Sequence, residues 1–243
     1  MTDGFRHDSY TVHFRPQPGT YPVSPPRTFV DETVRWLADR PYYSGQIVTH
    51  EVIPGHSASY GSIDLDHRLE TALNERGIDR PYRHQAEAVR AIQEGSNVVL
   101  ASPTASGKSL GYTIPAFRRA MDRSGCTLYL GPQVALINDQ VETLDALAGE
   151  LGFGSRVRVD QYTGRLSKTA KRSVRERQPT VLLTTPDMLH YGILPHAHRL
   201  WDWFFRRLEL VILDEVHEYR GVFGSHIGLV IRRLNRLCER FNA

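Results

Sequence analysis

Residues 97–110 read NVVLASPTASGKSL, and the fold class turns on how this stretch is read. Val98-Val99-Leu100 is a short apolar run and predicts a buried strand. Ser102 to Gly107 is a turn of small residues, after which Lys108 and Ser109 open a helical pattern. Strand, small-residue turn, Gly-Lys-Ser, helix is the layout of a phosphate-binding loop. Backbone N–H groups wrap the phosphates, the lysine ammonium reaches the β and γ phosphates, and the serine hydroxyl holds Mg²⁺. The nucleotide contacts then fall to Thr104, Ala105, Ser106, Gly107, Lys108 and Ser109, with Ser109 also a metal ligand. Ser102 stands where the strict pattern has Gly. A helix start with an exposed lysine is the competing reading, and a carboxylate motif downstream separates the two.

That motif is present. Glu209 to Leu213, ELVIL, predicts a buried strand that runs directly into Asp214-Glu215-Val216-His217. An acidic pair at the end of a buried strand is costly unless something positive sits beside it. In a phosphate-loop fold that end of the sheet is where the nucleotide lies. Asp214 can hold Mg²⁺ through its water shell, and Glu215 can orient or deprotonate the attacking water. His217 would sit near the γ-phosphate and could sense its loss. Loop and acidic box together point to hydrolysis of a nucleoside triphosphate.

Upstream of the loop lies Arg80-Pro81-Tyr82-Arg83-His84-Gln85, leading into a helix that ends at Gly95. The Gln85 amide can pair with N6 and N7 of adenine while Tyr82 stacks, which makes ATP the expected nucleotide. A plain surface helix start is the other reading of this segment. The order aromatic–Gln, helix, strand, phosphate loop favours the functional one.

The remaining chain alternates strand and helix. Helices are predicted over Val30 to Leu37, Asp64 to Arg76, Leu110 to Met121, Gln133 to Ala148 and His226 to Phe241. Strands are predicted over Gly45 to Pro54, Thr127 to Leu130, Arg156 to Tyr162 and Thr180 to Thr184. The core strands are short and apolar throughout, as when helices cover both faces of a sheet. The expected fold is therefore α/β, a mainly parallel sheet flanked by helices. Residues 1–28 carry Pro16, Pro18, Pro22, Pro25 and Pro26 with little periodicity and read as an extended, proline-rich arm. Residues 29–79 form a leader, and residues 80–243 the nucleotide-binding domain.

Bulk properties exclude several classes. The chain has 243 residues, 40% of them hydrophobic, a net charge of +3 and two cysteines far apart, Cys126 and Cys238. No CxxC or Cys/His cluster suggests zinc or a disulfide framework, so a reducing, cytoplasmic setting is expected. No apolar signal region and no run approaching the ~18 apolar residues of a membrane span is present. Residues 155–178 hold eight basic groups against two acidic ones. Such a run is either a solvated helix face or a surface that steers nucleic acid. Trp201-Asp202-Trp203-Phe204-Phe205 reads as core packing rather than a base-stacking platform.

Taken in order, these pieces resemble the superfamily 2 DExH-box helicases, over roughly residues 80–241. The matching segments are Tyr82/Gln85, Thr104 to Ser109, Gly131-Pro132-Gln133-Val134-Ala135-Leu136, Tyr162-Thr163-Gly164, Thr184-Thr185-Pro186-Asp187 and the Asp-Glu-Val-His box. Helicase versions of the loop relax position 102. The Thr-Ala-Ser-Gly-Lys-Ser loop, with residues 217–226 (HEYRGVFGSH), resembles the MrfA-type DNA repair helicases in particular. The resemblance implies a RecA-like motor domain using ATP and Mg²⁺ to move on and unwind DNA. It also implies that Gln133, Thr163, Gly164, Thr185 and Pro186 hold the phosphodiester backbone of a single strand. Such contacts touch phosphate and sugar without reading bases, so an RNA-directed enzyme shares them. Family members continue into a second RecA-like domain that supplies arginine fingers. None of its motifs occurs in these residues, so the chain is expected to be a leader plus a first motor domain, working with a second domain or subunit. A non-motor nucleotide- or nucleic-acid-binding module is the reading from another class.

Overall fold

The computed structural model describes residues 9–14, 30–53, 58–102, 106–152 and 156–241. Two compact units divide at Ser59/Tyr60. The first contains β1 (Ser9–Phe14), α1 (Val30–Ala38) and β2 (Ile47–Ile53). β1 pairs with β2 antiparallel, with Tyr10 opposite Val52 and Val12 opposite His50. Residues 9–14 of the expected arm are thus a paired strand, while its five prolines lie outside the described residues.

The second unit begins with α2 (His67–Glu75), α3 (Arg83–Gln93), α4 (Lys108–Arg123), β3 (Cys126–Leu130) and α5 (Val134–Glu150). β4 (Val159–Tyr162), α6 (Lys168–Arg177), β5 (Val181–Thr184), α7 (Pro186–Met188), α8 (Ala197–Leu200), α9 (Asp202–Phe205), β6 (Leu208–Leu213) and α10 (Gly221–Phe241) follow. A π-turn over Leu189–Ile193 and a 3₁₀ turn over Leu194–His196 join α7 to α8. Periodicity assigns no element to residues 186–205. Pro186 and Pro195, with an aromatic cluster after them, break the chain into short turns instead of one helix.

The four strands form one parallel sheet in the order β4-β5-β3-β6. Alternation along the strands sends side chains to two separate cores. Tyr129, Val181, Leu183 and Ile212 face α2, α3, α4 and α5. Leu128, Leu130, Leu182 and Leu208 face α6, the turns of residues 189–205 and α10. Trp201, Phe204 and Phe205 are fully buried there, so the aromatic cluster is core, as expected. Leu69, Ala72 and Leu73 pack α2 into the first core, so residues from Tyr60 onward cluster with the second unit.

One expected strand is not formed. Val98-Val99-Leu100 has no ladder partner among the described residues, and Val99 is 91% exposed. A β-branched apolar run has strand propensity, but a strand exists only where a neighbour takes its backbone hydrogen bonds. Here Leu100 lies against Gly111 of α4 instead.

In a parallel sheet all strands finish on the same edge. The residues that follow Tyr162, Thr184, Leu130 and Leu213 therefore line up across the sheet in the order of the strands. Thr163, Thr185, Gly131 and Asp214 are those neighbours, with Gln133 two residues beyond Gly131.

Candidate functional site

The loop's conformation is set at its last glycine. Gly107 has φ 72° and precedes the first turn of α4. A Cβ there would come within 2.7 Å of Gln85 Nε2, so both backbone and space call for glycine. Gln85 is 4% exposed and ties two segments together. Its Oε1 accepts from the Tyr82 N–H at 2.8 Å, and its Nε2 donates to the Gly107 carbonyl at 2.7 Å. Ser102 and Ser106 hydroxyls meet at 2.6 Å, and the Lys108 ammonium donates to the Ser102 carbonyl at 2.8 Å. Thr104 and Ala105 lie outside the described residues. A cleft of about 440 Å³ opens beside this knot, lined in part by Tyr60, Tyr82, Gln85, Gly107 and Ser109. Its rings are stacked, with Tyr60 and Tyr82 centroids 5.6 Å apart. Tyr60 is not among the residues that the sequence singles out for the site.

The acidic box follows β6. Asp214 extends the ladder by donating its N–H to the Leu130 carbonyl at 3.0 Å. Its Oδ1 accepts from the Glu215 N–H at 2.9 Å. Its Oδ2 accepts from the Tyr129 hydroxyl at 2.5 Å, with the Tyr112 hydroxyl 3.5 Å away. Burial pushes both phenols far above their ordinary range, helped at Tyr112 by the Asp214 charge and at Tyr129 by Tyr112 and then Asp214, so they stay protonated donors. Tyr219 is pushed up to about 12 by burial and by Asp214, and its hydroxyl has no partner among the described residues. Glu215 has φ 49° and ψ 44°, a left-handed conformation that costs a non-glycine residue free energy and concentrates at functional sites. Its carboxylate lies 3.1 Å from His217 Nδ1, and His217 Nε2 lies 3.3 Å from Glu218.

Tyr112 joins the two halves. It sits one turn beyond Lys108 in α4 and reaches Asp214, so the start of α4 and the end of β6 converge. The oxygens of Ser109 and Asp214 are hard donors that suit Mg²⁺, which keeps several waters instead of taking a full protein cage. Among the described residues no group of three or more His, Cys, Asp or Glu side chains is arranged so that it could hold a metal ion by itself.

The predicted strand-binding residues share the sheet's C-terminal edge but differ in what they expose. Gln133 is exposed and precedes α5 without capping it. Thr185 caps α7, its Oγ1 accepting from the Met188 N–H at 3.3 Å. Pro186 is buried, and so is Thr163 at 1% exposure. At that position the exposed contact surface is Gly164 and the backbone, not the threonine hydroxyl. The basic run lies on α6 and the strands beside it, and much of it is engaged. Arg172 pairs with Glu176 at 2.7 Å, Arg177 pairs with Asp160, and Arg175 donates to the Tyr162 hydroxyl at 2.9 Å. Among the described residues no helix is long and apolar enough to cross a membrane.

Known proteins are similar to this chain in sequence and fold. The family model described as DEAD/DEAH box helicase matches residues 82–242. The uncharacterized ATP-dependent helicase YprA of Bacillus subtilis (strain 168) is 39% identical over 196 residues, covering 80% of this chain and 26% of its own length. ATP-dependent helicase hrq1 of Schizosaccharomyces pombe is 35% identical over 218 residues, covering 87% and 20%. The crystal structure of the DUF1998 helicase MrfA bound to DNA and AMPPNP superposes with a TM-score of 0.73 at 40% identity, covering 76% of this chain and 26% of that one. The chain thus spans 26% or less of the length of these relatives. By motif order, sheet topology and this match over residues 82–242, the chain belongs to the DEAD/DEAH box helicases.

Proposed function

We propose that residues 60–241 are the ATP-binding motor domain of a DNA helicase, acting in DNA repair. The observation that carries this reading is the convergence of the phosphate loop's helix on the acidic box through the Tyr112–Asp214 contact. ATP would lie with its base in the cleft at Tyr82 and Gln85 and its phosphates over the start of α4. Lys108 would leave the Ser102 carbonyl for the β and γ phosphates, the stronger partner for an ammonium. Bound Mg²⁺ would neutralise phosphate charge and polarise the γ-phosphoryl group. Glu215 would take a proton from water as the water oxygen bonds to the γ-phosphorus and ADP departs. His217, 3.1 Å from Glu215 and 3.3 Å from Glu218, would hold the Glu215 carboxylate in line.

Single-stranded DNA would cross the C-terminal edge of the sheet at Gln133, Thr185 and Gly164. Neighbouring strands lie about 4.8 Å apart, so these three ends span roughly 10 Å, a reach of one to two nucleotides. The likeness to MrfA, solved with DNA, supports DNA over RNA. The resemblance of the phosphate loop and residues 217–226 to the MrfA-type repair helicases supports the pathway. Two free cysteines, one of them buried, suit a reducing cytoplasm.

Binding of a fluorescent ATP analogue tests the site. Lys108→Ala is expected to weaken it by about tenfold or more, the worth of a charge-assisted hydrogen bond. An unchanged affinity would show that the phosphates bind elsewhere. Glu215→Gln keeps the shape but removes the base. Its analogue binding should survive while any hydrolysis falls by about 10²-fold or more.

A further inference from the structure

Asp214 is held by a hydroxyl that no part of the acidic-box pattern includes. Tyr129 lies in the middle of β3, opposite Ile212 of β6, two residues before Asp214. It is 1% exposed, and its hydroxyl donates to Asp214 Oδ2 at 2.5 Å. Its ring has little freedom. Tyr112 packs on it at 6.0 Å between centroids, and a Cβ on Gly131 would come within 3.2 Å of its edge. The other carboxylate oxygen accepts from the Glu215 N–H. Oδ2 therefore takes one short hydrogen bond, with Tyr112 a long second contact at 3.5 Å, and Oδ1 takes one from the backbone, which together set the rotation of the carboxylate. Oδ1, with that single donor, keeps lone-pair capacity for a further one such as a metal-bound water.

We infer that Tyr129 is a positioning residue for Mg²⁺. Its hydroxyl holds the Asp214 carboxylate in the orientation that receives the hydration shell of the ion on bound ATP. This rests on the nucleotide site proposed above. Tyr112 is the weaker contributor, because its single proton is shared between Asp214 at 3.5 Å and Gln140 at 3.4 Å. Partners that orient metal-binding side chains typically change metal affinity by about 10- to 100-fold when removed. A tyrosine that only filled the core would be replaced by phenylalanine without consequence for Mg²⁺.

The test titrates MgCl₂ against binding of a fluorescent ATP analogue, using the 243-residue chain, with EDTA as the metal-free reference. Tyr129→Phe is expected to match wild type in EDTA within about twofold and to need about 10-fold more Mg²⁺ for half the gain. In an Asp214→Asn background the same change should add nothing. An unshifted Mg²⁺ midpoint in folded Tyr129→Phe overturns the inference, as does an equal shift in the Asp214→Asn background. If wild type itself binds without any Mg²⁺ dependence, the nucleotide-site reading fails and takes this inference with it. Should Tyr129→Phe not fold, 3-fluorotyrosine at position 129 alone gives a ¹⁹F signal. That signal should move when Mg²⁺ joins the bound analogue and stay still in Asp214→Asn, and a signal indifferent to Mg²⁺ overturns the inference.

Discussion

At Gln85 a single buried amide has hydrogen-bonding capacity beyond the two bonds it makes. One Nε2 proton and one Oε1 lone pair already hold the Gly107 carbonyl and the Tyr82 N–H. The amide retains one proton and one lone pair, the complement that N7 and N6 of adenine require. Guanine offers O6 in place of N6 and would face an acceptor with an acceptor. Competition against a fluorescent analogue should therefore favour ATP over GTP. Gln85→Ala should reduce that preference by about 10-fold, the worth of one to two hydrogen bonds. Equal binding of both nucleotides by wild type would remove the role. Gln85, Lys108, Asp214 and Glu215 are legible in the sequence because each is a polar group at a strand end or a helix start, in an order that suits a nucleotide. Tyr129 is not legible. A hydroxyl inside the buried strand CTLYL looks like core, and only the register against β6 shows what it touches.

Elements with a long period are readable in the same way, and elements that depend on partners are not. α5 and α10 announce themselves through apolar residues on one face, and both occur within a few residues of the expected ends. Val98-Val99-Leu100 has equal apolar character yet forms no strand, since pairing is a property of two segments. The turns of residues 186–205 are held by Trp201, Phe204 and Phe205, all fully buried. Phe205→Ala should cost about 3–5 kcal/mol of stability and be visible as a lowered melting temperature. A cost below about 1 kcal/mol would show that this core is not structural. α6 asks a different question, because several of its charges already have partners. Replacing Lys171, Arg172 and Arg175 together by Ala should flatten the salt dependence of single-stranded DNA binding, by about 0.7 in log–log slope for each phosphate that is no longer neutralised. An unchanged slope would make α6 a solvated face.

At the scale of the whole molecule, the site residues with an assigned place all come from one unit, residues 60–243. The cleft is walled by residues of that unit, and Asp214 and Glu215 follow from its β6. Under the proposed function these residues, assayed alone, would offer the γ-phosphate a lysine, an acidic pair and a histidine on one side. Hydrolysis spreads negative charge over the γ-phosphoryl oxygens, and an arginine presented from a facing domain typically contributes roughly 10³–10⁵ in rate. Strand separation asks for more, two strand-holding surfaces whose spacing changes with the nucleotide. The chain spans 26% or less of its relatives' length. The purified 243-residue chain is therefore expected to bind ATP, hydrolyse it slowly with little stimulation by DNA, and leave a duplex intact. The assay is a fluorescent forked duplex with a 3′ single-stranded tail, incubated with the chain and ATP. Adding a separately expressed second motor domain from a relative of the same family should raise both DNA-stimulated hydrolysis and strand separation. Robust separation by the chain alone, dependent on ATP and lost in Lys108→Ala, would overturn this expectation. It would mean that copies of the chain supply one another with the facing residues of the site.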